Sequence, residues 1–275
     1  MLKLLQLTDC HLMPEGGRLF ELDPAERLAA AISDINRNHS DAALCVLTGD
    51  LTNVGDPDSY ALLRDRLAAL SVPYQLLLGN HDDREHMRAA FPDLVVDPHG
   101  FLQSVRITPQ GRLVFLDTVE AGVHNGVYCA DRLIWLEHVL TESKGEPVYI
   151  FMHHPPMLIA MSRLDQYGLV DREAFADLIR RFPNIRHIFF GHVHRPVSGG
   201  WLGIPFSSLP STNHQNQLDF GTGRENLSSH EPPAYAVIFL DGDQSIVHLH
   251  GFLDASAKFV YDPAAAPENQ IRKIS

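Results

Sequence analysis

The sequence predicts an α/β protein built as a four-layer α/β/β/α sandwich, with two mixed β-sheets packed face to face and helices outside. Apolar runs of strand length alternate with amphipathic helical segments through the first 90 residues, and the alternation returns between about residues 131 and 190. Strands that alternate with helices over short connections form parallel sheets with right-handed crossovers. Segments with hairpin character flank the second half. Two such halves in one chain therefore predict two mixed sheets, each covered by its own helices.

The first half is predicted to contain three buried parallel strands, each followed by a helix. Asp23 is a good cap for the first helix, because Pro24 occupies the first helical position and Glu26 lies three residues after the cap. Asp56 starts the second helix. The predicted strands are residues 2–7, 42–47 and 74–78, and the predicted helices run from Asp23 to about Asn36, from Asp56 onward, and from Asp82 or Asp83 to about Phe91.

The second half combines hairpins with two more pairs of strand and helix. Turn residues at 108–111 separate two strands, and Asp241-Gly242-Asp243 separates another pair, where Asp-Gly suits the tight turn of a hairpin. The predicted elements are hairpins within residues 101–116, 196–209 and 235–250, strands at residues 148–152 and 185–190, and helices capped by Asp131 and Asp171 that end near Thr141 and Arg181.

We expect residues 1–250 to form one domain with two insertions that act as lids, at residues 155–170 and 211–233. The second insertion is polar and lacks periodicity, which is typical of a loop. The sequence specifies little structure in the tail, residues 251–275. Two interpretations of this tail stay open: an arm for homo-oligomerisation, or a frayed end.

The composition of the chain limits the binding partners and the cellular compartment that we expect for the protein. The formal net charge is −12 and no basic run exceeds Arg180-Arg181, so we expect no nucleic-acid polymer as a partner. No segment approaches the roughly 20 apolar residues of a membrane span. The three cysteines form no CxxC motif and are odd in number, which favours a reducing compartment. Because Met1 runs directly into the first strand, without a signal peptide, we expect a cytoplasmic protein.

Five predicted strands end in side chains that ligate metals. Each end taken alone is more often a structural turn than a ligand, but the carboxyl ends of parallel strands share one edge of a sheet, so the five together predict a single site. Imidazole and carboxylate suit Fe, Mn, Zn or Co, and no thiolate is placed to favour a softer ion. The strand ends carry Asp9-Cys10-His11, Gly49-Asp50, Gly79-Asn80-His81-Asp82, His153-His154 and Gly191-His192-Val193-His194.

These residues, in this order, resemble the signature of the calcineurin-like metallophosphoesterase superfamily over about residues 1–250. Within it, the chain is most similar to bacterial class III cyclic nucleotide phosphodiesterases and glycerophosphodiesterases. Cys10 stands where Thr or Ser is more usual, and we expect it to point away from the ligands. The narrower resemblance is carried by Leu7-Thr8-Asp9-Cys10-His11, Gly79-Asn80-His81-Asp82-Asp83 and Phe151-Met152-His153-His154-Pro155-Pro156.

The resemblance implies two divalent or trivalent transition-metal ions, Fe, Mn, Zn or Co, bridged by Asp50. Since Asn80 is a neutral, weak oxygen donor, the second site should hold its ion less tightly than the first. The first residue of the His153-His154 pair is the expected ligand. The implied ligands are Asp9, His11, Asp50 and His194 for the first ion, and Asp50, Asn80, His153 and His192 for the second.

The resemblance also implies a phosphodiesterase that hydrolyses a small phosphodiester by in-line attack of a metal-bound hydroxide. The expected catalytic residues are Asp50, which holds both ions, and His81, a general acid or electrostatic stabiliser. Asn80, His81 and His214 are expected to contact the substrate. His81 as an orienting partner of Asn80, and His214 as a surface loop residue, are the alternatives.

The identity of the diester stays open between cyclic nucleotides and glycerophosphodiesters. We expect loops at residues 16–21, 157–167 and 211–217 to select it. Two interpretations apply to Phe20, Met161, Tyr167 and Trp201: ordinary packing, which is favoured for isolated aromatic residues, or an aromatic or apolar wall for the substrate. A phosphomonoesterase or a nucleotide pyrophosphatase on the same scaffold is the alternative activity. A non-catalytic binding scaffold is less favoured, because every expected ligand is present.

Overall fold

The computed structural model describes residues 1–221, 227–266 and 269–274. No helix in these ranges has the length and apolar character that crossing a membrane requires. In chain order the elements are β1 (Leu2–Leu7), α1 (Pro24–Asn38), β2 (Leu44–Thr48), α2 (Pro57–Leu67), β3 (Tyr74–Leu77), α3 (Arg84–Ala90), β4 (Ser104–Thr108), β5 (Gly111–Phe115), α4 (Ala130–Glu142), β6 (Val148–Met152), a 3₁₀ turn (Leu164–Gln166), α5 (Arg172–Ile179), β7 (Ile185–Phe190), β8 (Ser198–Trp201), β9 (Ile204–Ser207), β10 (Gln215–Asn216), β11 (Ser228–Ser229), β12 (Tyr235–Asp241), β13 (Gln244–His250), β14 (Lys258–Tyr261) and β15 (Ile271–Ile274).

Both large sheets are mixed, as predicted. The first has the strand order β13-β12-β1-β2-β3, in which β1, β2 and β3 are parallel and the C-terminal hairpin adds two antiparallel strands. The second has the order β4-β5-β6-β7-β9-β8, in which the four inner strands are parallel and the two edge strands are antiparallel. Antiparallel strands thus border the parallel strands whose ends were predicted to carry ligands.

Three apolar layers separate the four layers of secondary structure. One lies between the first sheet and helices α1 to α3, and another between the second sheet and helices α4 and α5. The central layer joins the two sheets, where the Phe151 ring stacks on the Phe189 ring at 4.7 Å, with Phe115 beside them. Alternate residues of each central strand face different layers, so both faces of these strands are buried. The predicted α/β/β/α sandwich is confirmed.

Five helix caps were predicted: three make cap hydrogen bonds, one lies at the N-cap without such a bond, and one is wrong. The carboxylates of Asp23, Asp56 and Asp83 accept backbone N–H groups of the first turns of α1, α2 and α3. The prediction that Asp131 caps α4 is wrong, because the helix starts earlier, with Cys129 at its N-cap. Asp131 lies instead in the first turn, where a negative charge still complements the helix dipole. Asp171 precedes α5 as predicted, but its side chain makes no cap hydrogen bond.

Two short hairpins were not predicted from the sequence. In the second insertion, β10 pairs with β11, while residues 222–226 of this insertion lie outside the described residues. In the tail, β14 pairs with β15. Strands of two to four residues are too short to show a periodicity above that of a loop.

Candidate metal centre

Five of the predicted ligands follow their strands in the left-handed region of backbone conformation, which non-glycine residues rarely adopt. Each such residue costs of order 1–3 kcal/mol, and such strain concentrates at functional sites. Backbone hydrogen bonds hold the turns, from Asp9 N to Gly49 O at 3.0 Å and from His11 N to Asp50 O at 2.8 Å. The φ angles are 52° at Asp9, 47° at His11, 48° at Asp50, 70° at His192 and 49° at His194.

The first cluster unites the four residues predicted for the first ion. One ligand atom from each of Asp9, His11, Asp50 and His194 lies within 4.8 Å of the others, and all four residues are buried. His194 Nδ1 donates to the carbonyl of His214 at 2.9 Å, so the lone pair of the neutral ring lies on Nε2. That Nε2 is 3.1 Å from His11 Nε2 and 3.3 Å from Asp9 Oδ1. Carboxylate oxygens and imidazole nitrogens therefore converge on one point.

The second cluster unites Asn80, His153 and His192 with the other side of Asp50. His153 Nδ1 donates to the Thr48 carbonyl at 2.7 Å, which leaves the Nε2 lone pair of the neutral ring facing inward. This Nε2 lies 3.2 Å from Asn80 Oδ1, 3.4 Å from Asp50 Oδ1 and 3.3 Å from His192 Nδ1. Since Asp50 Oδ2 lies 3.6 Å from His11 Nε2 in the first cluster, Asp50 is common to both.

His154 is close to the second cluster but has no lone pair to offer. It lies within ligand distance of His153 and His192. However, its Nε2 is 3.2 Å from the carbonyl of His124, which can only accept, so Nε2 carries the proton. Its Nδ1 then accepts from the Thr118 hydroxyl at 2.7 Å. Both ring nitrogens of His154 are thus engaged in hydrogen bonds, whereas His153 Nε2 faces the second cluster.

The electrostatics of both clusters favour a cation. Burial acts to raise the pKa of Asp9, but nearby His194 and His153 outweigh it and lower the pKa to about 2. Burial likewise opposes ionisation of Asp50, and His153 and His11 lower its pKa. Conversely, burial acts to lower the pKa of His153, but Asp50 raises it to about 9. The two buried carboxylates thus stay ionised and draw positive charge onto their partners.

The donor set fits two transition-metal ions. Each cluster turns carboxylate or amide oxygens and imidazole nitrogens toward one point in a buried interior, which is unfavourable unless positive charge, a shared proton or a metal cation, lies there. Burial lowers the pKa of both His11 and His192 to about 3, so these rings are neutral and able to ligate. Mixed imidazole and oxygen ligation suits Fe, Mn, Zn and Co.

His81 and Asp82 lie next to Asp50 and fix the turns around it. His81 N donates to Asp50 Oδ1 at 2.9 Å, and His81 Nδ1 donates to the Asn53 carbonyl at 2.8 Å, which fixes the ring at the cavity wall. Asp82 is buried and accepts from the backbone N–H groups of Gly79, Leu51 and Thr52 at 2.9–3.0 Å. The carboxylate of Asp82 therefore joins the turns after β2 and β3, while its neighbour Asp83 caps α3.

An open cavity of about 390 Å³ lies over the two clusters. His214 is at its wall, with its ring 4.4 Å from Phe20 and 4.6 Å from His194, and burial lowers its pKa to about 2. Tyr167 also lines this cavity. Met161 is buried in the second core and Trp201 packs on that core, in agreement with the favoured packing interpretation for these two residues. Cys10 is buried in the first core, away from the ligands, as expected.

His124 is a cavity residue that the sequence analysis missed. It lies between β5 and α4, and its Nδ1 is 3.3 Å from Asn80 Nδ2. No strand ends at His124 and no neighbouring residue in the sequence ligates a metal. The only signal in the sequence was its residue type, which is too common on surfaces to predict a site.

A family model described as Calcineurin-like phosphoesterase matches residues 2–196. The matched segment carries all seven predicted metal ligands.

Two curated relatives cover nearly the whole chain. The chain is 38% identical over 255 residues to a probable cyclic nucleotide phosphodiesterase of Rhodopseudomonas palustris, a match that spans 92% of this chain and 93% of the relative. It is 29% identical over 266 residues to the glycerophosphodiester phosphodiesterase GpdQ of Enterobacter lignolyticus, spanning 94% of each.

A solved structure shares the fold at low sequence identity. A dimetal phosphatase from Danio rerio matches with a TM-score of 0.71 at 18% identity, covering 92% of this chain and 97% of that chain. At this identity the likeness concerns the fold alone, and it agrees with the two packed mixed sheets.

Gly79→Ala is expected to disorganise the centre without removing a ligand. A Cβ at residue 79 would collide with the backbone nitrogen and carboxylate of Asp50 and lie 2.7 Å from His153 Cε1. We expect the free energy of unfolding to fall by about 1–3 kcal/mol, and Mn²⁺ affinity to fall about tenfold or more. Urea unfolding and Mn²⁺ titration of metal-depleted protein measure the two effects.

Gly200→Ala is the matched control, because a Cβ there meets nothing within 4 Å. It should keep wild-type stability and metal affinity. A Gly79→Ala protein that binds Mn²⁺ as tightly as wild type would contradict the packing described for the centre.

Proposed function

Because the chain belongs to the calcineurin-like phosphoesterase family, we propose that it is a metal-dependent phosphodiesterase that hydrolyses a small phosphodiester. The observation that carries this proposal is the convergence of two ligand clusters on Asp50 beneath an open cavity. Two cations held there would clamp the phosphate oxygens, lower the pKa of a bound water and stabilise charge on the attacking and leaving oxygens.

The protein's own groups complete the reaction site. Asp50 holds the two clusters at a fixed separation, and Asn80 presents its amide oxygen to the second. His81 has its Nδ1–H committed to the Asn53 carbonyl, so Nε2 is the atom that, when the ring is protonated there as well, would transfer a proton to the leaving oxygen or stabilise charge there. His214 supports this arrangement through its carbonyl, which fixes the tautomer of His194, and through its ring at the cavity wall.

Cyclic nucleotides are our first choice of substrate. The relative with the higher identity of the two is named a probable cyclic nucleotide phosphodiesterase. Phe20, His214 and Tyr167 line the cavity, and aromatic side chains stack favourably on a nucleobase. Glycerophosphodiesters are the second candidate, supported by the GpdQ relative. We propose Fe, Mn, Zn or Co as the metals, on the basis of the ligand chemistry.

We propose further that residues 1–250 form the catalytic domain, with the insertions at residues 155–170 and 211–233 as lids. Tyr167, Asn216 and Ser228 from these insertions line the cavity. The tail is proposed as an oligomerisation arm, because Phe259, Tyr261 and Ile271 of its hairpin are exposed. The free cysteines, of which Cys10 and Cys45 are buried, support the cytoplasm as the compartment.

The activity is tested with metal-depleted protein to which Mn²⁺, Fe²⁺, Co²⁺ or Zn²⁺ is returned. We expect restored turnover and a preference of about tenfold or more in kcat/KM for bis-p-nitrophenyl phosphate over p-nitrophenyl phosphate, because the site is proposed to act on diesters. Cyclic AMP and glycerophosphoethanolamine are then compared directly. An Asp50→Asn protein purified in parallel should be inactive, which excludes a contaminating enzyme. A preference for the monoester would contradict the proposal and favour a phosphomonoesterase.

His81→Ala should separate catalysis from metal binding. Because His81 is proposed to act on the leaving oxygen and is not a proposed ligand, kcat should fall by about 10²- to 10⁴-fold while the metal content stays at the wild-type value. Steady-state kinetics and elemental analysis of the same preparation measure both.

His86→Ala is the control, because His86 lies on α3 in the same region and, among the residues that the structure describes, its ring bonds only the Gly55 carbonyl and Asp83. It should leave kcat unchanged. Loss of metal from His81→Ala would show that His81 has a structural role instead.

A further inference from the structure

Asn80 is the weakest of the proposed ligands, and its usefulness depends on which end of its amide faces the cluster. Its Oδ1 lies 3.0 Å from His192 Nδ1 and 3.2 Å from His153 Nε2. If the amide were rotated by 180°, its NH₂ group would point at the cluster and oppose a cation there. Some contact must therefore distinguish the two orientations.

His124 makes that contact. Asn80 Nδ2 lies 3.3 Å from His124 Nδ1. The amide nitrogen can only donate, so His124 Nδ1 accepts and the neutral ring carries its proton on Nε2. In the rotated amide, a carbonyl oxygen would face this lone pair unless the ring moved its proton to Nδ1. The Nε2–H tautomer of His124 thus stabilises the orientation that turns Asn80 Oδ1 toward the cluster.

His154 fixes the position of His124. The buried ring of His154 donates from Nε2 to the His124 carbonyl at 3.2 Å, and its Nδ1 accepts from Thr118 at the start of the same loop. Gly126 packs against this ring, since a Cβ there would lie 2.6 Å from its Cβ and Cγ. The second histidine of the His153-His154 pair therefore has a function: it holds the loop that carries His124.

The loop is also anchored at its root and tip. Arg132 is fully buried and donates to the carbonyls of Asp117 and Val119 at 3.0 Å each. At the tip, Asn125 Nδ2 donates to the Gln166 carbonyl, and the Gly126 carbonyl accepts from Val170 N at 2.8 Å. An exposed histidine on a free loop would lose its position to solvent, whereas these contacts hold His124 over Asn80.

We propose that His124 is a positioning residue that orients Asn80 for the second metal ion, with His154 as the buried support of its loop. The inference rests on the proposed function, because it takes Asn80 as a ligand. It predicts that His124 determines the affinity of the second site and leaves that of the first unchanged, since its described polar contacts are with Asn80 and His154 only.

The test is a Mn²⁺ titration of metal-depleted protein, with free Mn²⁺ followed by electron paramagnetic resonance. His124→Leu removes the acceptor, and we expect the second binding step to weaken about 10- to 100-fold while the first step is unchanged. His124→Asn places an oxygen acceptor at the position of Nδ1, and we expect it to restore the second step to nearly the wild-type affinity. His138→Leu, at an exposed histidine of α4, controls for the apolar replacement and should bind as wild type.

Wild-type affinity in His124→Leu, or a His124→Asn protein as weak as His124→Leu, would overturn the inference. Equal weakening of both steps in His124→Leu would also overturn it, because that result indicates general distortion. Asn80→Ala separates this from a failure of the proposed function. If Asn80→Ala weakens the second step and His124→Leu does not, only the role of His124 fails. If Asn80→Ala has no effect, Asn80 is not a ligand and the metal assignment fails as well.

Discussion

The structure depends on two carboxylates, Asp9 and Asp50, that are buried side by side with almost no exposure to solvent. An isolated buried carboxylate is strongly unfavourable, so the surrounding residues must compensate two negative charges at once. The compensation comes from backbone N–H groups, from imidazole rings and, in the proposed holoenzyme, from two cations. Asp82 adds a third buried carboxylate, whose pKa is raised to about 6 by burial and by Asp50. This interior therefore requires positive charge, which protonated imidazoles such as that of His153 supply when no cation is bound.

The fold explains how the backbone brings these charged residues together. Parallel strands from two facing sheets end at one rim, so residues distant in sequence meet without a long loop. Close approach is allowed at Gly79 and Gly191, where a Cβ would collide with Asp50 and with Thr8 and Thr48. The left-handed turns at the ligands are held by hydrogen bonds between neighbouring strand ends. The strain at Asp9 and His11 is thus opposed by hydrogen bonds within the first sheet, and His192 N adds one between the halves by donating to Asp9 Oδ2 at 3.1 Å.

Most of the fold and the position of the site followed from local patterns in the sequence, while the assignment of ligands to two ions followed from the resemblance to the family. Apolar runs located the central strands, and the Asp, Asn and His residues directly after them located the rim. The features that were missed depend on contacts between segments far apart in the chain. His124 meets Asn80 across 44 positions, and the bonds of His154 to Thr118 and His124 have no counterpart in its own motif. The start of α4 directly after Cys129 was likewise decided by packing and not by local propensity.

The most direct test of the bridging role of Asp50 is a crystal structure of the Mn²⁺-loaded protein, with the ions located by anomalous scattering. The account predicts two peaks about 3.5–4 Å apart, with the Asp50 carboxylate between them. His194 should contact the first ion, and Asn80 and His153 should contact the second. A single peak, or a second peak bound by His154 and remote from Asp50, would contradict it.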